Sequence, residues 1–179
     1  MVFSSLLFLT LFLPVTTAAY YLLPGKGKNL LLLVVSLIFY AWGEPVHIFL
    51  MLITTVYTWA LSLLLEKFRG RPGMAKLLLI LCLVFSLGTL GYYKYSGFLM
   101  NALGISNFSA PALPIGISFS TFQALSYVID VYRGDVKAQK SWVNFAMYIS
   151  FFPQLIAGPI VRYTDVEAQL ENRTHSRKN

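Results

Sequence analysis

The chain has 179 residues, of which 57% are hydrophobic and 12% are charged, about half the charged share of a typical soluble domain. This composition excludes disordered, collagen-like, coiled-coil and disulfide-stapled proteins, because each of these classes needs a different bias. It predicts an all-α, polytopic membrane protein in which residues 1–179 form a single membrane domain with no separate soluble domain.

The net charge of +7 indicates the kind of partner, and the cysteine content indicates whether disulfides or metal sites are expected. The basic residues stand in short clusters between apolar runs, which favours the lipid bilayer over a nucleic acid as the partner. The single cysteine, Cys82, lies inside an apolar run, so we expect neither an intrachain disulfide nor a thiolate metal site.

Four apolar segments are long enough to cross a hydrocarbon core of about 30 Å. We predict membrane spans at 2–23, 25–42, 46–65 and 75–93, with Gly43-Glu44-Pro45 ending the second. A cleaved signal peptide is the alternative for the first segment, but the chain begins without the Lys or Arg that such a peptide needs.

Two later apolar segments, 113–131 and 142–161, are interrupted. The first opens with Pro114 and Gly116, and the second contains Pro153, Gly158 and Pro159. Lipid offers no partners for freed backbone groups, so a broken membrane helix persists only beside protein or a water-filled cavity. A simple proline kink is the alternative. We predict about five transmembrane helices plus a broken or re-entrant sixth segment.

The distribution of Lys and Arg predicts the orientation, because these residues collect in cytoplasmic loops. The loops after the first, third and fifth segments carry nine of them, whereas the alternate loops carry Lys94 alone. The N-terminus is therefore expected outside. The four basic residues after position 161 fit this orientation if the sixth segment turns back, which is a second argument for re-entrance.

Polar side chains concentrate in the fifth segment, where Gln123 and Asp130 are the most costly to bury. An amide or carboxyl group costs a few kcal/mol at mid-bilayer unless it faces protein or water. Asp130 and Arg133 are three residues apart, which predicts a charge pair on one helix face. A structural clamp is the alternative to a lining role for this pair, and Gln154 is open to the same two interpretations.

The two histidines, His47 and His175, give little indication of a catalytic or metal site. His47 begins a span, where an interfacial histidine is usual, and His175 lies in a charged tail. Neither has Cys or carboxylate neighbours at ligand spacing, so no metal is expected.

Three motifs together resemble the membrane-bound O-acyltransferase family, in particular its alginate O-acetyltransferase-like branch. They are Phe39-Tyr-Ala-Trp-Gly-Glu-Pro45, then Pro114-Ile-Gly-Ile-Ser-Phe119 running on through Thr121-Phe-Gln-Ala-Leu-Ser-Tyr-Val-Ile-Asp-Val-Tyr-Arg-Gly134, and Ser150-Phe-Phe-Pro-Gln-Leu-Ile-Ala-Gly-Pro-Ile-Val-Arg-Tyr163. Ser120 departs from the family pattern, in which an aromatic residue is common.

The resemblance implies a multi-pass acyltransferase of the bacterial inner membrane. Such an enzyme helps to move an acetyl group from a cytoplasmic donor, expected to be acetyl-CoA, to an extracytoplasmic polysaccharide, together with extracytoplasmic acetyltransferase partner proteins. The family's catalytic histidine is expected beyond Asn179, since neither His47 nor His175 matches its motif. The chain is therefore interpreted as the N-terminal part of such an enzyme, without a catalytic residue or a bound cofactor of its own.

Residues and resemblance together predict where a substrate funnel would lie. Its candidate residues are Gln123, Asp130, Arg133, Gln154 and Arg162, beside the re-entrant backbone of Pro153, Gly158 and Pro159. Arg133 or Arg162 would attract an anionic donor or a uronate acceptor. Two other classes stay open: a transporter or flippase of acyl or glycan intermediates, and an inactive membrane scaffold or remnant.

Overall fold

A computed structural model describes residues 6–105, 108–158 and 161–171. In these ranges 79% of the residues are helical and no strand occurs, which confirms the predicted all-α class. Two helices are long and apolar enough to cross a membrane, and two shorter ones, Phe8–Leu22 and Gly27–Gly43, are also apolar. The total of about five spans stays a prediction.

The first predicted span is helical where the structure describes it. A π-helical turn, Phe8–Phe12, leads into α1, Leu13–Leu22. Leu23 is extended because it precedes Pro24, and α2 then runs over Gly25–Gly43. The predicted boundaries of this second segment, 25–42, are therefore confirmed to within one residue.

The third and fourth predicted spans correspond to α3, His47–Lys67, and α4, Pro72–Ala102. Helix α4 has 31 residues and is about 46 Å long, which exceeds a hydrocarbon core of about 30 Å. The helix includes the whole predicted span 75–93 and continues to Ala102, since the interfacial residues Tyr92 and Lys94 suit a membrane surface without breaking a helix.

Helices α3 and α4 bury small and hydroxyl residues and expose large apolar ones. The buried side of α3 carries Thr55, Thr58 and Ser62, while Phe49 and Ile53 on the same helix are exposed. Small residues between membrane helices allow close approach of the backbones, and large aliphatic residues suit contact with lipid. This arrangement supports the membrane assignment.

The fifth segment forms α5, Ile117–Arg133, between two glycines with left-handed backbone angles. Gly116 has φ +77°, and a Cβ there would lie 2.9 Å from the backbone oxygen of Leu155. Gly134 has φ +90° and ends α5 in a Schellman motif, in which Asp135 N–H donates to Asp130 O over 3.0 Å and Gly134 N–H to Val131 O over 3.2 Å. Pro114 and Gly116 therefore precede the helix and do not interrupt it.

The sixth segment is broken, as predicted. Helix α6, Trp142–Ser150, has nine residues and rises about 14 Å, too short to cross a membrane. The chain turns at Phe151, and a six-residue helix α7, Phe152–Ala157, follows. Pro153 lies in the first turn of α7, where its missing N–H costs nothing, so the break falls two residues before it. Pro159 lies outside the described residues, and re-entrance stays a prediction.

Helix α8, Tyr163–Glu171, is the last described element. Helix α5 packs against α3, α4 and α6, and α2 packs against α6 and α7. The main core lies where these helices meet, and Leu65, Tyr127, Val128, Phe145 and Tyr163 are among its fully buried members. The second and third motifs are thereby brought side by side.

Candidate functional site

Two of the three predicted funnel residues of α5, Gln123 and Asp130, lie on one buried face. Gln123, Tyr127 and Asp130 follow at a spacing of four and three residues, and each is at most 3% exposed. Gln123 Nε2 donates to the backbone oxygen of Tyr148 at 2.8 Å, next to the break between α6 and α7. Gln123 therefore binds a carbonyl in the last turn of α6, three residues before the chain turns at Phe151, and its role in lining a funnel stays a prediction.

Asp130 is a buried carboxyl group that is not fully paired. Its Oδ2 is shielded from solvent and has no hydrogen-bond partner within the described part of the chain. A buried unpaired carboxylate is costly, since the desolvation penalty is not offset by any bond. Such an atom marks a place where a further hydrogen-bond donor can bind.

The predicted pair between Asp130 and Arg133 is not formed among the described residues. Asp130 points into the core, whereas Arg133 is exposed in the last turn of α5. Arg69, from the loop between α3 and α4, is the basic residue that binds the C-terminal end of α5. Its Nη2 donates to the backbone oxygens of Val131 and, at 3.3 Å, of Val136.

The remaining predicted funnel residues lie on the irregular segment. Gln154 is half-buried on α7. A Cβ on Gly158 would lie 2.6 Å from the Cα of Gln154, so that only glycine fits at position 158. Arg162 directly precedes α8, and its side chain is exposed. Whether these side chains and those of α5 line one funnel stays a prediction.

Sequence reasoning missed Gln139, which joins four parts of the chain. Its backbone N–H donates to Tyr127 Oη at 2.7 Å, and its Nε2 donates to Tyr163 Oη at 2.7 Å. Its backbone oxygen accepts from Trp59 Nε1 at 2.8 Å, and its Oε1 accepts from Ser141 N–H at 2.9 Å. We call Gln139 and these four partners the Gln139 cluster.

The centre of the Gln139 cluster is buried and closely packed. Gln139 is 7% exposed, and the Tyr127 and Tyr163 rings are fully buried with their centroids 4.9 Å apart. Gln139 stands between Lys137 and Lys140 in the printed sequence, a context typical of a solvated loop. No local pattern reveals that its side chain turns inward.

A second polar region is a cleft between the first part of α3, the middle of α4 and the start of α5. We call it the hydroxyl cleft; it is a small cavity of about 30 Å³ that is open on one side. The lining residues include Thr54, Thr55, Thr58, Ser86, Thr89, Ser120, Thr121, His47 and Tyr40. Gln123, Asp130, Arg133, Gln154 and Arg162 are not among the residues that line it.

His47 stands in a pair at one end of this cleft. Its Nδ1 lies 2.7 Å from Glu44 Oε2, and both side chains are about four-fifths buried, at 18% and 20% exposure. The ring also meets Tyr93 edge to face, with centroids 5.8 Å apart. His47 is thus more constrained than the interfacial histidine expected from the sequence. His175 lies outside the described residues.

Known proteins match the chain over nearly its full length. It is 43% identical to the probable alginate O-acetylase of Pseudomonas aeruginosa and 42% identical to that of Azotobacter vinelandii, in each case over 98% of the chain. The chain is a relative of the alginate O-acetylases. The resemblance inferred from the three motifs is confirmed.

These relatives are much longer than the chain. It spans 36% and 37% of the two alginate O-acetylases. It is also 29% identical to the peptidoglycan O-acetyltransferase of Helicobacter pylori, over the whole chain and 40% of that protein. No protein-family model and no solved structure matches the chain. The shares agree with the expectation of a partial chain.

Proposed function

We propose that the chain is part of a membrane-bound O-acyltransferase that acetylates a polysaccharide outside the inner membrane. The observation that carries this proposal is the 43% identity to an alginate O-acetylase across 98% of the chain. The apolar helices and the broken α6–α7 segment support it, because transfer to an acceptor outside requires a path through the membrane.

The acceptor class is proposed as a polysaccharide that offers hydroxyl groups. One set of relatives is named for alginate and another for peptidoglycan, and both polymers carry sugar hydroxyls. We propose acetyl-CoA as the donor and extracytoplasmic acetyltransferases as partners. The catalytic histidine is proposed to lie beyond Asn179, so that this chain supplies walls and supports for the reaction rather than its acid or base.

Within this function, the buried face of α5 is proposed as a positioning element. Among the described residues Asp130 carries a buried oxygen without a hydrogen-bond partner, and Gln123 binds the backbone oxygen of Tyr148 in the last turn of α6. Together they would fix the wall of a substrate path, with one carboxyl oxygen able to accept a hydrogen bond. Arg162 and Gln154, on the irregular segment, would complete that wall.

Replacing Asp130 by Asn tests this role, because Asn keeps the volume and removes the charge. The test strain has a deletion of the reading frame that contains this chain and is complemented with either the wild-type or the substituted frame. The protein level and the acetyl esters on the polysaccharide are both measured. We expect normal protein levels and about a tenfold loss of acetylation, the equivalent of one lost hydrogen bond of roughly 1.4 kcal/mol.

The matched control is Asp135→Asn, since Asp135 is exposed just after α5 and should leave acetylation unchanged. If Asp130→Asn retains full acetylation at normal protein level, the carboxylate has no positioning role. If the wild-type frame restores no acetyl esters to any polysaccharide of the strain, the proposed function itself is wrong.

The proposed orientation places the N-terminus outside and the loop between α3 and α4 in the cytoplasm. Nine basic residues on one side against one on the other support it. Reporter fusions after Arg71 and after Asn101 test it, and we expect a cytoplasmic signal at Arg71 and an external one at Asn101. A cytoplasmic signal at Asn101 would contradict this topology.

A further inference from the structure

The α3–α4 loop and the α5–α6 loop are held side by side at one end of the bundle. Arg69, in the first loop, donates to the backbone oxygens of Val131, in the last turn of α5, and of Val136, in the second loop. Ala138 N–H, also in the second loop, donates to Glu66 Oε2 in the last turn of α3 over 3.2 Å. Bonds in both directions therefore join the two loops into one surface.

Positive charge predominates on this surface. The stretches 66–76 and 133–140 contain seven basic residues and two acidic ones. Glu66 and Arg69 are bound to the backbone, whereas the other six basic side chains are exposed and form no ion pair within the residues that the structure describes. We call these six side chains the basic ridge: Lys67, Arg71, Lys76, Arg133, Lys137 and Lys140.

Helix α8 lies at the same end of the bundle and carries acidic residues. Gln139, in the α5–α6 loop, binds Tyr163 at the start of α8. Asp165 and Glu167 of this helix form no ion pair with the basic ridge in the described ranges. The cations of the ridge are therefore available to a partner outside the chain.

The basic ridge borders an exposed apolar surface of α3 and α4. Leu64 is exposed three residues before Lys67, which places the two side chains on one face of α3. Met74 and Leu77 are exposed on either side of Lys76 in α4. Exposed aliphatic side chains of a membrane bundle suit hydrocarbon, and Lys or Arg beside them extends to the level of the lipid headgroups. The ridge therefore lies where the apolar surface ends.

We propose that the basic ridge is a binding surface for anionic phospholipids. A lipid of this class places its phosphate against the lysines and arginines and its acyl chains against Leu64, Met74 and Leu77. A soluble anion gains only the first of these contacts. Each basic residue near an anionic lipid surface strengthens the attraction about fivefold. This surface is separate from the buried face of α5, and the proposal does not depend on acetyl transfer.

Titration with labelled lipids tests this proposal. The product of the reading frame that contains this chain is purified in a neutral detergent and added to phosphatidylglycerol or phosphatidylcholine, each with the same fluorophore on an acyl chain. Fluorescence anisotropy gives a dissociation constant for each lipid. We expect phosphatidylglycerol to bind about twentyfold more tightly than phosphatidylcholine, the effect of two basic residues, and added salt to reduce this preference.

One variant replaces the four lysines of the basic ridge together: Lys67→Gln, Lys76→Gln, Lys137→Gln and Lys140→Gln. We expect its preference for phosphatidylglycerol to fall to within about threefold, with binding of phosphatidylcholine unchanged. Lys94→Gln, at an exposed position near the far end of α4, is the matched control and should keep the full preference. Arg133 stays unchanged because it is also a candidate funnel residue. The unfolding temperature in the same detergent shows whether each variant is folded.

Equal binding of the two lipids by the wild-type protein would overturn the proposal, as would a preference that survives in the folded four-lysine variant. Displacement of labelled phosphatidylglycerol by an equal concentration of glycerol phosphate would also overturn it, because the ridge would then take a soluble anion without acyl chains. The comparison of lipids and the competition need no variant. Acetylation is not measured, so this proposal and the proposed function fail independently.

Discussion

The Gln139 cluster and the hydroxyl cleft are two polar regions of one apolar bundle, and they differ in where their hydrogen-bond partners lie. In the Gln139 cluster, donors and acceptors of distant segments satisfy one another. In the cleft, the threonines bond to the backbone of their own helices and not to other segments. A saturated network fixes the fold, whereas an unsaturated wall can bind a ligand.

Helix α3 belongs to both regions. Its first half contributes Thr54, Thr55 and Thr58 to the cleft, and its second half contributes Trp59 and Ser62 to the surroundings of Gln139. Ser62 Oγ lies 3.4 Å from Tyr127 Oη. The change from an open to a saturated polar surface therefore occurs within about one helical turn.

The largest expected effect is that of Gln139→Ala on stability. The substitution removes the side-chain bonds to Tyr163 and Ser141 and leaves their polar groups unpaired in a buried site. We expect a loss of about 2–4 kcal/mol in the free energy of unfolding, measured in mixed detergent micelles. Lys137→Ala, at an exposed position of the same loop, is the control and should change stability by less than about 0.5 kcal/mol.

A loss for Gln139→Ala no greater than that of Lys137→Ala would break the comparison, because the cluster would then add nothing to the fold. If Gln139→Ala does lose stability, the size of the loss reports how far water is excluded from the Gln139 cluster. An orphaned group that water can reach costs less than one that stays buried.

The smaller effect is that of Thr55→Val, which exchanges a hydroxyl for a methyl group of similar shape. The lost bond runs to Met51 O, on the same helix, so no other element is left unpaired. We expect a change within about 1 kcal/mol in the same assay. A loss as large as that of Gln139→Ala would mean that the threonine wall is structural.

The sequence predicted the helices better than the contacts between them. The boundaries of α2 and α3 follow from Gly43-Glu44-Pro45, where a helix terminator stands between two uninterrupted apolar runs. The break after α6 was also predicted, although its place was not. Proline suits the first turn of a helix, so Pro153 lies just inside α7 and the chain turns at Phe151.

The polar sites were harder to predict because they depend on tertiary contacts. The three-residue spacing of Asp130 and Arg133 allows a pair, but the Schellman motif ends α5 at Arg133 and leaves that side chain at the surface. Arg69 reaches Val131, and Gln139 reaches Tyr127 and Tyr163, across more than ten residues of intervening chain, and nothing local to either residue signals these bonds.

Water-edited solid-state NMR on the protein in bilayers tests the division of the polar interior most directly, without any substitution. Magnetisation transferred from water should reach the methyl groups of Thr54, Thr55 and Thr58 quickly, and the side chains of Tyr127 and Tyr163 slowly. That result would agree with a wet cleft beside a dry cluster. Transfer that is equally slow at the threonines and the tyrosines, or faster at the tyrosines, would contradict the account.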